Sequence, residues 1–333
     1  PPRSTLFPYT TLFRSSASRA YIESVKLARS AHTASTYQNA LDYYLETLRL
    51  NRIDPEVTSV QDLSENTIVM LAKALKNHAA TTERLYLTAV SGFFAYLAAE
   101  NLSQVNLPRI KLLIQQRARK PGQRLPQFPA TDIDKILDLI SSQEFMNSDD
   151  QTDHLINLRD RAFLLTLADT GLRVHEACNL RRGDIDWNEG KAMIIGKGNK
   201  QAIIRFSIRS TDALKDYLKV RSVIDGGSKI PLSALPLFAR HDKGAGKKIK
   251  PMTTTTGRNI VTERVRELLG EDAVGTITPH SFRHYFVTRV LRASGNLKLA
   301  QELARHKNIA VTQRYAHLSD DELDKGYWEA IES

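Results

Sequence analysis

Six side chains in the second half of this 333-residue chain have the types that phosphodiester chemistry needs. They are two arginines, a lysine, two histidines and a tyrosine: Arg173, Lys197, His280, Arg283, His306 and Tyr315. Guanidinium groups bind phosphate oxygens with planar, permanently charged donors. A phenol can attack phosphorus, and imidazole or ammonium groups can move the protons. The set therefore predicts cleavage of a phosphodiester at one shared site.

The segments that carry these residues follow a definite order. Arg173 lies in Thr-Gly-Leu-Arg-Val-His-Glu, Arg283 in His-Ser-Phe-Arg-His, and Tyr315 in Thr-Gln-Arg-Tyr-Ala-His. In these motifs and their order, the chain resembles the tyrosine recombinase (phage integrase) family, and within it the Xer-like site-specific recombinases. The resemblance is strong over residues 170–316 and is one of helical pattern over residues 17–126.

The resemblance implies that the site cuts and rejoins DNA. Arg173 and Arg283 match the family's paired arginines, and Tyr315 matches its nucleophile, which forms a 3′-phosphotyrosyl link. Lys197 matches the hairpin lysine that protonates the departing 5′ oxygen, with Lys200 as the local alternative. Because the phosphotyrosyl ester keeps the energy of the broken bond, another 5′ hydroxyl can reseal the strand without ATP. We therefore expect a site-specific recombinase for DNA integration, excision or resolution.

Further residues are expected to support this site. His280 and His306 match the family positions that assist proton transfer from the tyrosine and hydrogen-bond the phosphate. Glu176, one helical turn beyond the first arginine, is expected to orient that arginine, and His284 to support the site. The chain departs from the family at Arg305, since Leu-Gly-His is frequent there and Leu-Ala-Arg-His stands here. We expect this extra cation to make the turn less flexible.

The sequence predicts no cofactor and no metal. It has neither a glycine-rich phosphate loop of the Gly-x-x-x-x-Gly-Lys type nor an acidic cluster suited to Mg²⁺. His280 and His284 are spaced four apart, as zinc ligands on a helix can be. The residues between them are Ser, Phe and Arg, and the arginine would repel a divalent ion.

Composition agrees with a nucleic-acid partner. Lys and Arg total 47 against 37 acidic residues, a net charge of +10, which favours a polyanion such as double-stranded DNA. The single cysteine, Cys178, allows no intrachain disulfide and indicates a reducing compartment. No stretch approaches the roughly 18 apolar residues that span a bilayer. We expect a cytoplasmic protein with no membrane contact.

Hydrophobic periodicity predicts a mainly α protein with a small antiparallel β-sheet. We divide the chain into a non-native leader (1–16), a helical domain (17–116), a basic linker (117–129) and a mixed α/β domain (130–333). The resemblance implies that the helical domain is a core-binding domain of the SAM-like type and that the mixed domain is the catalytic domain. The leader resembles the translation of a sequencing adapter; a transit peptide or a DNA-binding arm is the alternative. Three short strands are predicted between residues 185 and 206, and Gly171 is predicted to end a helix.

Local patterns predict individual helices of the first domain. A stripe from Tyr37 to Leu48 follows Thr33 and Ser35, the expected N-caps, and a later helix is expected to bury Leu85, Ala89, Phe93 and Leu97. Its aromatic residues are expected to form core. In the catalytic domain, Thr131 is expected to cap the first helix.

Four cations in the linker predict a further contact. Arg117, Arg119, Lys120 and Arg124 lie in a segment with three prolines and no acid, which favours an extended tether along a phosphate backbone. Simple solvation of these side chains is the alternative.

The resemblance also implies a homo-oligomer, a tetramer in the synaptic complex, because recombination cuts four strands. Residues 320–331 are the expected contact with a neighbouring protomer, and packing on their own domain is the alternative. Accessory DNA-bending proteins are a further expected class of partner. Two other functions stay open: a non-catalytic DNA-binding regulator, suggested by helix breaks near Gly295 and between His306 and Ala310, and a type IB topoisomerase.

Overall fold

The computed structural model of the chain describes residues 14–119, 129–195, 201–242, 249–313, 315 and 328. Over these residues the chain is mainly helical, with one three-stranded antiparallel sheet, which confirms the predicted fold class. It divides into two compact units, Pro1–Gln123 and Arg124–Ser333. None of the described helices is both long enough and apolar enough to cross a membrane.

The first unit is a bundle whose described α-helices are α1 (Arg14–Ala28), α2 (Ala31–Leu50), α3 (Thr67–Ala74), α4 (Ala80–Ala99) and α5 (Leu107–Arg117). Helices α2 and α4 pack against each other, and Tyr44, Phe93 and Phe94 lie fully buried between the helices. These aromatic residues form core, as the sequence predicted. Of the predicted leader, only residues 14–16 are described, and they belong to α1.

The second unit contains nine described α-helices and the sheet. The helices are α6 (Ala130–Leu139), α7 (Gln143–Met146), α8 (Gln151–Thr170), α9 (Val174–Cys178), α10 (Ile208–Gly226), α11 (Thr254–Leu269), α12 (Pro279–Ser294), α13 (Leu297–Ala304) and α14 (Ile309–Gln313). Helix α8 runs through the core, is buried along most of its length and packs against α10 and α12. Helix α9, which begins after Arg173, and helix α12, which carries Arg283, both pack against this central helix.

Helix α8 ends where the sequence predicted. Gly171 adopts a left-handed conformation with φ 59°, and its backbone N–H donates to the carbonyl oxygen of Leu167 at 3.2 Å. Such a conformation favours glycine, because a Cβ would crowd the backbone. Helix α9 begins two residues after Leu172, with Arg173 as its N-cap.

The sheet has the order β1 (Ile185–Asp186), β2 (Lys191–Ile195) and β3 (Gln201–Arg205), as predicted. Its register pairs Ile194 with Ala202, and Ala192, Ile194 and Ile204 are buried on one face. The hairpin that joins β2 to β3, with Lys197 and Lys200, lies outside the described residues. The flanking strands are paired up to Ile195 and Gln201.

Two predicted helix starts are wrong. Ser30, and neither Thr33 nor Ser35, caps α2, since its Oγ accepts a hydrogen bond from the backbone N–H of Thr33 at 3.2 Å. The N-cap of α6 is Pro129, so that Thr131 lies inside the helix. In both cases a hydroxyl residue occurs within the first turn, where a cap and a helical position look alike in sequence.

One predicted core residue is exposed. Ala89, Phe93 and Leu97 are fully buried on α4, but Leu85 is 41% exposed. Each step of four residues turns about 40° past a full helical turn, so a ladder of four such positions spreads over about 120°. Leu85 is at the end of that ladder and lies outside the buried face.

The contact between α11 and α9 depends on a residue without a side chain. A Cβ added at Gly257 would lie 2.9 Å from Phe163 and Val174 and 3.0 Å from Sγ of Cys178. Gly257→Ala should therefore destabilise the protein by about 2 kcal/mol through overpacking, measured as a lower melting temperature. Gly226→Ala, at the end of α10 with open space around it, is the matched control and should be neutral or stabilising by up to about 1 kcal/mol. Equal melting temperatures would contradict this close packing.

Candidate active site

The structure brings most of the predicted site residues into one cluster. The cluster is built from the start of α9, the first turns of α12, the C-terminal end of α13 and the second residue after α14. These segments contribute Arg173, Glu176, His280, Arg283, His284, Arg305, His306 and Tyr315. Lys197 is the one predicted catalytic residue that lies outside the described part of the chain.

Helix α12 supplies three of these side chains from one face. It begins at Pro279 behind Thr278, and His280, Arg283 and His284 follow at helical spacing. The ring centroids of His280 and His284 lie 4.2 Å apart, in an edge-to-face arrangement. Among the described residues, no group of three or more His, Cys, Asp or Glu could hold a metal ion.

Arg283 is a cation built into the core. It is 2% exposed, and its guanidinium donates hydrogen bonds to the backbone carbonyl oxygens of Gly171 and Ala304. These bonds tie the end of α8 to the end of α13. Burial lowers the pKa of Arg283 to about 9, with further lowering from Arg173 and Arg305. At neutral pH the side chain is still charged.

Glu176 contacts Arg173 through both of its carboxylate oxygens. One carboxylate oxygen accepts from Nη1 of Arg173 at 2.9 Å, and the other accepts from the backbone N–H of Arg173, also at 2.9 Å. The carboxylate is 3% exposed, whereas the Arg173 side chain is 41% exposed. Burial acts to raise the pKa of Glu176, but Arg305 and Arg173 outweigh it and lower the pKa. The carboxylate is therefore ionised.

The sequence did not predict the second partner of Glu176. Nη2 of Arg305 donates to its carboxylate at 2.9 Å, and the Arg305 side chain is only 13% exposed. Arg305 is the C-cap of α13 and has φ 56°, a conformation that favours glycine. The departure from Leu-Gly-His was the one indication in the sequence, because it put a bulky cation at a position suited to glycine.

Tyr315 contacts a histidine of α12. Its hydroxyl lies in hydrogen-bonding contact with Nδ1 of His284, and the two ring centroids are 5.2 Å apart. Nδ1 of His306 instead pairs with the hydroxyl of Thr312 at 2.9 Å. His284, which we expected to support the site, is thus in contact with the phenol, whereas the sequence analysis assigned the assistance of proton transfer to His280 and His306.

Burial and nearby cations keep the imidazoles neutral. Burial, followed by His280 and Arg283, lowers the pKa of His284 to about 4. Burial and then Arg283 lower the pKa of His306 to about 4, and burial also lowers the pKa of His280. A neutral imidazole nitrogen can accept a proton from a phenol. Within the described cluster, the positive charge is therefore concentrated on the arginines.

The linker cations have different environments. Arg119 donates from Nε and from its backbone N–H to Glu83, a fully buried carboxylate of α4, and from Nη2 to the carbonyl oxygen of Leu75. Its guanidinium is therefore used inside the first unit. Arg117 ends α5 with an exposed side chain. Lys120 and Arg124 lie outside the described residues.

The sequence pattern of the phage integrase family matches residues 135–322, more than half of the chain, and includes the whole cluster. The chain belongs to the phage integrase family. Tyrosine recombinase XerC of Bacillus pumilus is 31% identical over 317 residues, 92% of this chain and 93% of that protein. Tyrosine recombinase XerC of Thermodesulfovibrio yellowstonii is 28% identical over 310 residues, 92% of this chain and 93% of that protein.

Solved structures share the fold of this integrase-family protein. XerH recombinase bound to its palindromic difH substrate, in a post-cleavage complex, matches with a TM-score of 0.67 and 18% identity over 95% of this chain and 84% of that one. A lambda integrase dimer bound to a COC′ core site matches with a TM-score of 0.63 and 18% identity over 92% and 96%. The sequence matches identify a tyrosine recombinase, an enzyme of site-specific recombination, and do not favour the alternative functions.

The surroundings of His284 and His306 predict the pH at which each imidazole takes up a proton. In the folded integrase-family protein, His284 and His306 should titrate with midpoints of about 4, well below the usual 6.5, in an NMR experiment on the imidazole protons. Because the unfolded chain takes up these protons at a higher pH, the two groups reduce stability as the pH falls from about 6.5 to about 4. Midpoints near 6.5 for both would contradict the buried, cation-flanked site.

Proposed function

We propose that this recombinase cleaves and rejoins double-stranded DNA at specific sites through a 3′-phosphotyrosyl intermediate on Tyr315. The observation that carries the proposal is the contact between the Tyr315 phenol and His284, beside the guanidinium groups of Arg173 and Arg283. This arrangement joins a nucleophile, a proton acceptor and charged donors for a phosphate within one chain. Cleavage would then use the tyrosine of the same protomer that binds the phosphate.

The arginines act on the phosphate. Arg173 and Arg283 place permanent charge beside the non-bridging oxygens, where negative charge grows as phosphorus becomes five-coordinate. Arg283 is held rigidly by two backbone carbonyls, and Arg173 is held by Glu176. Preorganised donors of this kind stabilise the transition state because they need no rearrangement during the reaction.

Proton transfers accompany the exchange of bonds at phosphorus. As the oxygen of Tyr315 bonds to phosphorus, its proton passes to neutral Nδ1 of His284. The bond from phosphorus to the 5′ oxygen breaks, and that oxygen takes a proton, which we assign to the ammonium group of Lys197. In the reverse direction a 5′ hydroxyl of another strand attacks the phosphotyrosyl ester, and the phenol regains its proton. His280 and His306 line the same cluster and are proposed to hydrogen-bond the phosphate.

Two observations support DNA as the partner: the net positive charge of the chain and the DNA-bound structures of proteins that share its fold. The net charge of +10 favours a polyanion, and XerH and lambda integrase have been seen bound to DNA sites. We propose that both the helical domain (17–116) and the catalytic domain (130–333) contact the duplex. Arg117, with Lys120 and Arg124 of the linker, is proposed to follow the backbone. Arg119 is proposed to join this set, because its side chain is 40% exposed although Glu83 binds its guanidinium.

The active assembly is proposed to be a tetramer. Recombination between two duplexes cuts four strands, and one tyrosine per cut requires four protomers. Residues 320–331 are the proposed contact between neighbours; in this segment only Trp328 is described, and it is 55% exposed. Integration, excision and resolution share this chemistry, and accessory DNA-bending proteins would set the direction.

Tyr315→Phe should abolish covalent attachment to DNA, because the nucleophilic oxygen is lost. The assay uses a pool of short duplexes with randomised sequence and a nick, so that the 5′ hydroxyl fragment diffuses away and the adduct accumulates. Adducts that survive SDS are isolated from the wild-type protein and sequenced. Tyr37→Phe, which removes a phenol hydroxyl in the first unit, is the control and should retain them. A Tyr315→Phe adduct as abundant as the wild-type one would overturn the assignment.

Replacement of Arg173 and of Arg283 by lysine should slow the reaction in both cases but reduce stability only at Arg283. Arg173→Lys should slow adduct formation about 100-fold through the lost forked donors. Its melting temperature should change little, because the side chain is partly exposed. Arg283→Lys should slow the reaction to a similar extent and also reduce stability by about 2 kcal/mol, because a buried carbonyl of Gly171 or Ala304 loses its donor. Equal stability of the two variants would contradict the anchored role of Arg283.

A further inference from the structure

We propose that Arg305 is a positioning residue of the active site, which offsets the charge of Glu176 and so leaves the charge of Arg173 available to the phosphate. The inference rests on the proposed function and deepens it. It assigns a role to a side chain that differs from the Leu-Gly-His pattern frequent in the family. Three sets of observations carry it: the bonds of Glu176, the strain at Arg305 and the charge balance of the cluster.

Glu176 accepts hydrogen bonds from two arginines, Arg173 and Arg305. Oε1 accepts from Nη1 of Arg173 and Oε2 accepts from Nη2 of Arg305, each at 2.9 Å. The Arg173 side chain is 41% exposed and that of Arg305 is 13% exposed. Arg173 thus faces the open side of the site, where a phosphate would arrive, and Arg305 approaches the carboxylate from within the protein.

The conformation and the hydrogen bonding of Arg305 are both locally unfavourable. Its backbone has φ 56° and ψ 43°, which is unfavourable for a residue with a side chain. Its Nε and Nη1 are buried and have no hydrogen-bond partner among the described residues. Buried donors without acceptors are unfavourable as well. Neither property is expected of a residue that serves mainly to stabilise the turn.

The charge balance gives the physical reason for this arrangement. A carboxylate orients Arg173, but an ion pair between them also cancels much of the field that a phosphate would experience. With Arg305 present, three guanidinium groups, of Arg173, Arg283 and Arg305, face one carboxylate. The described imidazoles in the cluster are held neutral, so the excess of two positive charges belongs to the arginines.

Arg305 also fixes the end of α13 against the same turn as Arg283. Nη2 of Arg305 lies 3.5 Å from the carbonyl oxygen of Gly171, which also accepts from Arg283. The second carbonyl bonded by Arg283 belongs to Ala304, the residue before Arg305. A change at Arg305 can therefore act on position as well as charge, and the test must separate the two.

The test measures the rate of adduct formation on a nicked duplex recovered from the Tyr315 experiment. Arg305→Asn removes the charge but retains a residue that tolerates the left-handed conformation, and it should slow the reaction about tenfold. Arg305→Gly should behave similarly and provides the same comparison if the Asn variant does not fold. Arg305→Lys keeps the charge and should be slowed by about threefold or less. Affinity for the duplex should change less than about twofold, because many phosphates contribute to binding.

A double variant distinguishes charge offset from simple support of the turn. Glu176→Gln combined with Arg305→Asn restores the excess of two positive charges, and it should react at least about threefold faster than Arg305→Asn alone. Wild-type speed in Arg305→Asn, or a double variant no faster than the single one, would overturn the role of Arg305. Both results leave the wild-type adduct at Tyr315 intact, whereas the absence of that adduct would overturn the proposed function itself.

Discussion

The geometry of this site depends on the hydrogen bonds that the buried carboxylate of Glu176 makes with two arginines. This carboxylate accepts hydrogen bonds from the side chain and backbone of Arg173 and from the side chain of Arg305. Its position is set by α9, which starts three residues after the left-handed Gly171 and packs on α11 where Gly257 has no side chain. A shift of α9 would therefore move the exposed arginine relative to Tyr315.

Like charges near one another oppose folding, and the structure limits this effect in two ways. Burial and cationic neighbours lower the histidine pKa values, so that His284 and His306 add no charge at neutral pH. The guanidinium of Arg283 is bound by backbone carbonyls, which supply partial negative charge without a second carboxylate. We propose that the remaining positive charge is what the phosphodiester neutralises.

Much of this architecture could be predicted from local sequence. The strands β1 to β3 follow from alternation and turns, the end of α8 follows from Gly171, and the bond between Glu176 and Arg173 follows from their spacing of three residues. These features depend on neighbours in the chain, where periodicity and backbone preference are informative.

Features that depend on distant segments could not be predicted in the same way. The guanidinium of Arg119 bonds to Glu83, a buried carboxylate 36 residues earlier in the chain, and the sequence analysis did not predict this contact. The contact of His284 with Tyr315 joins positions 31 residues apart, and Arg305 meets a carboxylate 129 residues away. No local pattern encodes which of the two histidines on α12 will face the tyrosine. Tertiary packing decides it.

The central claim is that the phenol of Tyr315 is the group that becomes bonded to DNA within this arginine cluster. The most direct measurement is mass spectrometry of the covalent adduct after nuclease and protease digestion, which locates the residue that carries the remaining nucleotide. The account predicts a 3′-linked nucleotide on the peptide that contains Tyr315, and on its phenolic oxygen. A nucleotide attached to any other residue, or linked through its 5′ phosphate, would contradict it.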